Sequence, residues 1–205
     1  MTPETSKTLG GVGALLMVIG PFLGASTVVL GLIGLILVMI ALKGLSDHYN
    51  DAGIFNNALY GFIMAIIGGV IFVAGIVVAA VGLLTDLGIE VADWGDPAAF
   101  SNINWEELVT WDIVEPHIAA IVGSLVALFV FVVVASVFLR RSFTSLSAKT
   151  GVNLFSTVGL LTLIGAVLTI IVVGFLLLWV AEILLIVAFF RIKTQSTPPP
   201  ATTPS

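Results

Sequence analysis

Residues 9–42 read LGGVGALLMVIGPFLGASTVVLGLIGLILVMIAL, 34 positions without one ionisable side chain, and this stretch decides how the chain is organised. Apolar runs beyond about 18 residues are membrane-spanning helices. One straight helix of this length would measure roughly 51 Å at 1.5 Å per residue, against a hydrocarbon core of about 30 Å. The tilt required exceeds the usual range of about 0 to 40°. Two shorter helices fit better, with a reversal within Gly20-Pro21-Phe22-Leu23-Gly24-Ala25-Ser26-Thr27. Proline lacks the amide donor and disturbs the turn before it, while Gly24 and Ser26 suit a reversal. A secretory leader is the competing reading, with Lys7 before the run and Gly24, Ala25 and Ser26 inside it. Glu4 is ill-suited to a basic leader, and cleavage would strip the following run of its packing partner.

Three more apolar blocks follow, Ala58–Leu84, Ile118–Leu139 and Leu154–Phe190. The first two are ordinary spans. The last has 37 residues, roughly 56 Å as one helix, and its expected break rests on Thr169 and Gly174. The whole 205-residue chain is 59% hydrophobic and 9% charged, with a mean hydropathy of +1.22. Soluble domains carry about 25% charged residues. The expected fold is therefore all-α: a polytopic helical membrane protein with six short membrane segments, two hairpins flanking two full spans. Four long spans are the alternative. Residues 1–193 form the helical domain, and residues 194–205, with Pro198-Pro199-Pro200, read as a disordered tail.

Charge sign is segregated. Between Thr85 and Glu115 stand Asp86, Glu90, Asp93, Asp96, Glu106, Glu107, Asp112 and Glu115, with no Lys or Arg. Lysines and arginines near spans tend to stay cytoplasmic. Six segments put Lys7, Lys43, Arg140, Arg141, Lys149, Arg191 and Lys193 on one face; four spans would place Lys7, Arg191 and Lys193 beside the acidic loop. The expectation is a multi-pass protein of the cell membrane, with both termini cytoplasmic and residues 85–115 outside. Its bases read as topology anchors that also meet anionic headgroups, and they are too few for nucleic acid.

The two connections bearing bases resemble each other: Leu42-Lys43-Gly44-Leu45-Ser46 through Gly53-Ile54-Phe55, and Leu139-Arg140-Arg141-Ser142 through Gly151-Val152-Asn153-Leu154-Phe155. Matching the glycines and the aliphatic-Phe pairs suggests a duplicated helix-loop-helix unit. At these residues the chain resembles the archaeal integral-membrane family catalogued as domain of unknown function 996. The strings that carry the likeness are Lys7-Thr8-Leu9-Gly10-Gly11, Ile40-Ala41-Leu42-Lys43-Gly44-Leu45-Ser46 and Ile54-Phe55-Asn56-Asn57-Ala58-Leu59-Tyr60-Gly61-Phe62. Further ones run from Gly151 through Gly159-Leu160-Leu161, Ile164-Gly165-Ala166 and Val173-Gly174-Phe175 to Ala188-Phe189-Phe190. The resemblance implies an archaeal plasma membrane and brings no activity, ligand or catalytic residue. Glu182 departs from the apolar residue the family usually carries there.

Few residues offer chemistry. Glu182 is the one charge inside the last apolar block, and a carboxylate at such depth faces a polar cavity, a base or another subunit. It is the candidate ion or proton site. Asp93, Asp96, Glu106, Glu107 and Asp112, interleaved with Trp94, Trp105 and Trp111, form a candidate partner-facing or cation-binding loop; EF-hand spacing is absent. Asn104 and Glu107 suit a helix cap there. Asp47, His48, Tyr49, Asn50, Asp51, Asn56 and Asn57 make a dense polar patch, read as turn formers and caps ahead of a metal site. His117 reads as structural. Small residues recur every four positions as Gly61, Ala65 and Gly69, and as Ala119, Gly123 and Ala127, rows that would pair these two helices or meet another subunit.

No HExxH, GxSxG, GxxxxGK[ST], dinucleotide or CxxC pattern is present, and the chain has no cysteine. No cofactor or metal is therefore expected. The preferred function is a non-catalytic accessory or assembly subunit, whose partners are the bilayer and other membrane subunits or itself. The alternative is a small transporter or channel of two related halves, in which Glu182 would share a wet cavity with Thr162, Thr169 or Tyr60. An intramembrane enzyme would need several ionisable groups at one depth.

Overall fold

A computed structural model describes residues 1–23, 27–86, 88, 95–96 and 110–193. All regular structure among them is helical: α1 (Pro3–Ile19), α2 (Thr27–His48), α3 (Ala52–Asp86), α4 (Trp111–Thr150), α5 (Leu154–Leu168) and α6 (Val173–Phe190). Five helical stretches, beginning at Val29, Ala52, Trp111, Leu154 and Val173, are long and apolar enough to cross a membrane. The architecture is the expected one of two short-helix hairpins flanking two long helices. The expected tail and most of the acidic loop lie outside the described residues.

Both hairpins break where backbone chemistry allows. α1 starts on a Thr2 cap, whose hydroxyl accepts the Thr5 amide at 3.2 Å, with Pro3 in the first turn, where a missing N–H costs nothing. It stops at Ile19, and the chain tightens into a 3₁₀ turn over Gly20–Phe22 before α2 begins at Thr27. α5 likewise passes through a 3₁₀ turn, Thr169–Ile171, into α6. The residue that reverses direction there is Val172, at φ 60° and ψ −37°, a region that a β-branched side chain occupies only under strain.

The long helices outrun the apolar blocks that announced them. α3 has 35 residues and α4 has 40, roughly 52 and 60 Å, because the flanks Ala52–Asn57, Trp111–His117 and Arg140–Thr150 continue the helices.

By internal contacts the chain divides into two compact units, residues 1–61 with 136–205, and residues 62–135. In the first, α1 packs on both α2 and α6, and α6 packs on α5. Each hairpin closes glycine on glycine. A methyl on Gly13 would stand 2.5 Å from the Gly34 carbonyl oxygen, and one on Gly174 would collide with Gly165 and the Leu168–Thr169 backbone. Between hairpins, the Phe189 and Phe190 rings fill the space that side chains on Gly10 and Gly11 would need. The core gathers at the end carrying the bases: Leu42, Leu45, Ile54, Leu146, Phe155, Phe189 and Ile192 are all sealed from solvent. Phe155 meets Phe189 edge to face at 5.3 Å and stacks near Phe143 at 6.4 Å.

In the second unit α3 and α4 run antiparallel along one seam. Side chains built on Gly68, Gly75 and Gly82 would strike Phe131, Ser124 and His117 in turn. Both series step by seven. A sustained seven-residue repeat is the signature of left-handed helix pairing, with glycine on one strand admitting a larger residue from the other.

Candidate functional site

The basic end of the first unit is where polar side chains are most precisely held. Lys7 donates to the Ile192 carbonyl at 3.0 Å, tying the start of α1 to the residue beyond α6. Ser6 is buried and occupies the space against Gly44 on α2. Ser142 of α4 donates to the Ile54 carbonyl of α3 at 2.5 Å.

The two helix connections share one device. Ser46 donates across its turn to the Asp51 carbonyl at 2.8 Å, and Ser147 to the Val152 carbonyl at 3.1 Å. The intervening Asn50 and Gly151 both take positive φ, 50° and 70°. Asparagine and glycine are the residues that tolerate this conformation. The resemblance between the connections thus has a structural counterpart, but in a different register: Asn50, not Gly53, stands where Gly151 does.

In the polar patch, Asp51 accepts the Gly53 amide at 3.0 Å, Asn57 donates to the Gly53 carbonyl at 2.7 Å, and Lys43 pairs with Asp47 at 2.6 Å. Burial raises the Tyr49 phenol above its usual pKa. These are turn-forming and capping bonds. No cluster of three metal-ligating side chains occurs among the described residues.

Two grooves open on this unit. One, of 420 Å³, includes Lys43, Asp47, Asn50, Asp51 and Asn56. The other, of 510 Å³, lies between α4 and α5 and is lined by Val137, Arg140, Arg141, Thr144, Ser145 and Leu163.

Glu182 lies half-buried on α6, and neither groove includes it. Of the residues expected to share a cavity with it, two hydroxyls bond their own helix and the tyrosine shows a ring contact. Thr162 and Thr169 donate to carbonyls of their own helix, Val158 at 2.8 Å and Ala166 at 2.7 Å, and Tyr60 stands edge-on to Phe138 at 5.8 Å.

Of the acidic-loop candidates, Asp96 and Asp112 are exposed, while Asp93, Glu106 and Glu107 lie outside the described residues. Where the loop departs from the helices, His117 bonds Asp86 at 2.8 Å, joining α3 to α4.

Ala65, Gly69, Ala119 and Gly123 of the four-residue rows stand off the α3–α4 seam. Gly61 is buried, Gly69 and Ala127 are half-buried, and Ala65, Ala119 and Gly123 are exposed; side chains on Gly69 or Gly123 would meet nothing. Their neighbours Gly68, Gly75 and Gly82 make the seam. The missed signal was present as glycine at a spacing of seven, answered by Phe131, Ser124 and His117 at the same spacing.

Apolar helices in hairpins and long spans, with the Lys and Arg side chains outside their apolar runs, define a helical polytopic membrane protein. Residues 30–183 match the family described as "Protein of unknown function (DUF996)", and the chain belongs to it. It is 31% identical over 193 residues to an uncharacterized protein of the archaeon Methanocaldococcus jannaschii, covering 94% of each chain. No solved structure matches it. Strings that carried the resemblance, distant in sequence, meet in space: Lys7 through Gly11 lies against Phe189 through Ile192.

Proposed function

We propose that this chain is a non-catalytic accessory or assembly subunit of a membrane complex, docking through the open faces of α3 and α4. The observation that carries the reading is the pair of small-residue rows in the second unit. Ala65 and Gly69 on α3, and Ala119 and Gly123 on α4, stand clear of the seam that joins these helices. Small residues let another membrane helix approach closely enough for dispersion contacts, the main attraction available where lipid is as apolar as protein. The occupant is a helix of a partner subunit or of a second copy. Segregated charge supports an orientation with Lys7, Lys43, Arg140, Arg141, Lys149, Arg191 and Lys193 at the cytoplasmic face and residues 85–115 outside the cell.

Transport has less behind it. A path through Glu182 needs further polar groups at its depth, and the Thr162 and Thr169 hydroxyls are spent on helix carbonyls.

Purification in mild detergent tests the proposal. A stoichiometric complex should be recovered from wild type and lost in Gly69→Leu combined with Gly123→Leu, at two positions where an added Cβ has no neighbouring atom within 4 Å. A monomer in both cases would refute it. Cation or proton flux into vesicles that disappears in Glu182→Gln would establish transport in its place.

A further inference from the structure

We propose that the groove between α4 and α5 binds the phosphodiester headgroup of an anionic phospholipid, with Arg140 and Arg141 as its recognition residues. The inference is independent of the subunit reading.

Arg140 and Arg141 follow immediately on the apolar run that ends at Leu139, while α4 continues to Thr150. They therefore stand at the height where a span leaves hydrocarbon. Their charge is left over: among the described residues neither pairs with an acid, whereas Lys43 is matched by Asp47. Their placement is constrained from two sides. The backbone of Arg140 is pressed by α5 at Gly159, where a methyl would come within 3.0 Å of its Cα. Arg141 holds its guanidinium over the Phe138 ring at 5.9 Å, a cation–π contact.

The groove mixes polar and apolar lining. Arg140, Arg141, Thr144 and Ser145 line it together with Val137 and Leu163, in a volume of 510 Å³, within the range of about 300 to 1,000 Å³ typical of small-molecule sites. Thr144 spends its proton on the Arg140 carbonyl at 2.8 Å, leaving the guanidinium N–H groups and the Ser145 hydroxyl as donors. An acceptor-only anion fits that set, and paired guanidinium forks suit phosphate oxygens.

The apolar face of α5 beside the groove selects lipid over a soluble anion. Leu163 continues into Leu160, Ile164 and Val167, exposed apolar residues of α5. An acyl chain hanging from a phosphate between the arginines would lie along this face.

Binding to the detergent-purified full chain is measured by native mass spectrometry with dioleoyl phosphatidylglycerol and, separately, dioleoyl phosphatidylcholine. Phosphatidylglycerol should bind wild type in preference to phosphatidylcholine. Affinity should fall about fivefold per arginine and about thirtyfold in Arg140→Gln/Arg141→Gln. Lys149→Gln/Arg191→Gln, which removes the same charge elsewhere, should leave it unchanged. Arg140→Lys and Arg141→Lys preserve charge and fold while removing the guanidinium fork, and should give intermediate losses. Equal losses in the control pair, equal binding of both lipids, or displacement of phosphatidylglycerol by equimolar inorganic phosphate would each overturn the proposal.

Discussion

The two units solve the same problem with different geometry. Both are built from nearly uniform apolar sequence, yet 39% of the most apolar window of α2 is buried within the protein, against 11% in α3 and in α4. In the first unit α1 touches two helices, glycines close the hairpins backbone to backbone, and phenylalanines fill the gaps between hairpins. In the second, two helices share one seam and leave their other faces to the surroundings. Hydropathy does not distinguish these states. What separates them is where glycine sits relative to a bulky partner, since packing contacts carry helix association in lipid.

Removing a phenylalanine from the first unit is the strongest way to break this comparison. Phe189→Ala empties the space against Gly10 and Phe155. Helices held on several sides cannot collapse into the void, so the expected cost is about 3 to 5 kcal/mol. Thermal unfolding in detergent should show it as a large fall in midpoint; an unchanged midpoint would mean that the core is not as closed as described.

Adjacent glycines in α3 sharpen the contrast. Gly68→Ala places a methyl 2.6 Å from the Phe131 Cβ, forcing the helices apart at about 1 to 3 kcal/mol. Gly69→Ala meets nothing and should gain up to about 1 kcal/mol from helix propensity. Opposite signs at neighbouring positions, measured by the same unfolding assay, would verify the seven-residue seam. Equal effects would remove it.

The smallest expected effect is at the α5–α6 reversal. Val172→Gly relieves a β-branched residue at φ 60° whose side chain is exposed, so little packing is lost. Stability should rise by about 1 kcal/mol. A fall would mean that the valine side chain is held by a contact.

Legibility in the sequence followed the backbone chemistry. The first reversal could be placed because Pro21 and its small neighbours advertise it, and α1 and α2 stop at either side of that segment. The second was marked by Thr169, where α5 does end, but the residue in the unusual conformation is Val172, which propensity would place in a strand or helix. Gly174 serves the close approach to Gly165. The polar flanks of α3 and α4 stayed hidden because hydropathy registers transfer into lipid, and helices continue into water. The duplicated connection was visible, yet matching glycine to glycine misplaced its register, since asparagine does the same backbone work. At the candidate site, the bases were identified as anchors, but the Arg140–Arg141 groove depends on α5 lying against α4, a contact no local pattern announces.

The bond from Lys7 to the Ile192 carbonyl spans 185 residues of chain. At about 5 to 20 residues per second of synthesis, α1 is made roughly 10 to 40 seconds before the surface it packs on. During that interval the α1–α2 hairpin can close through Gly13 and Gly34, while Gly10 and Gly11 wait with an unfilled face for Phe189 and Phe190. Assembly of the bundle is therefore sealed last, by its final helix, and a ribosome halted before α6 leaves a membrane-inserted hairpin whose most glycine-rich flank is open to whatever helix lies nearest.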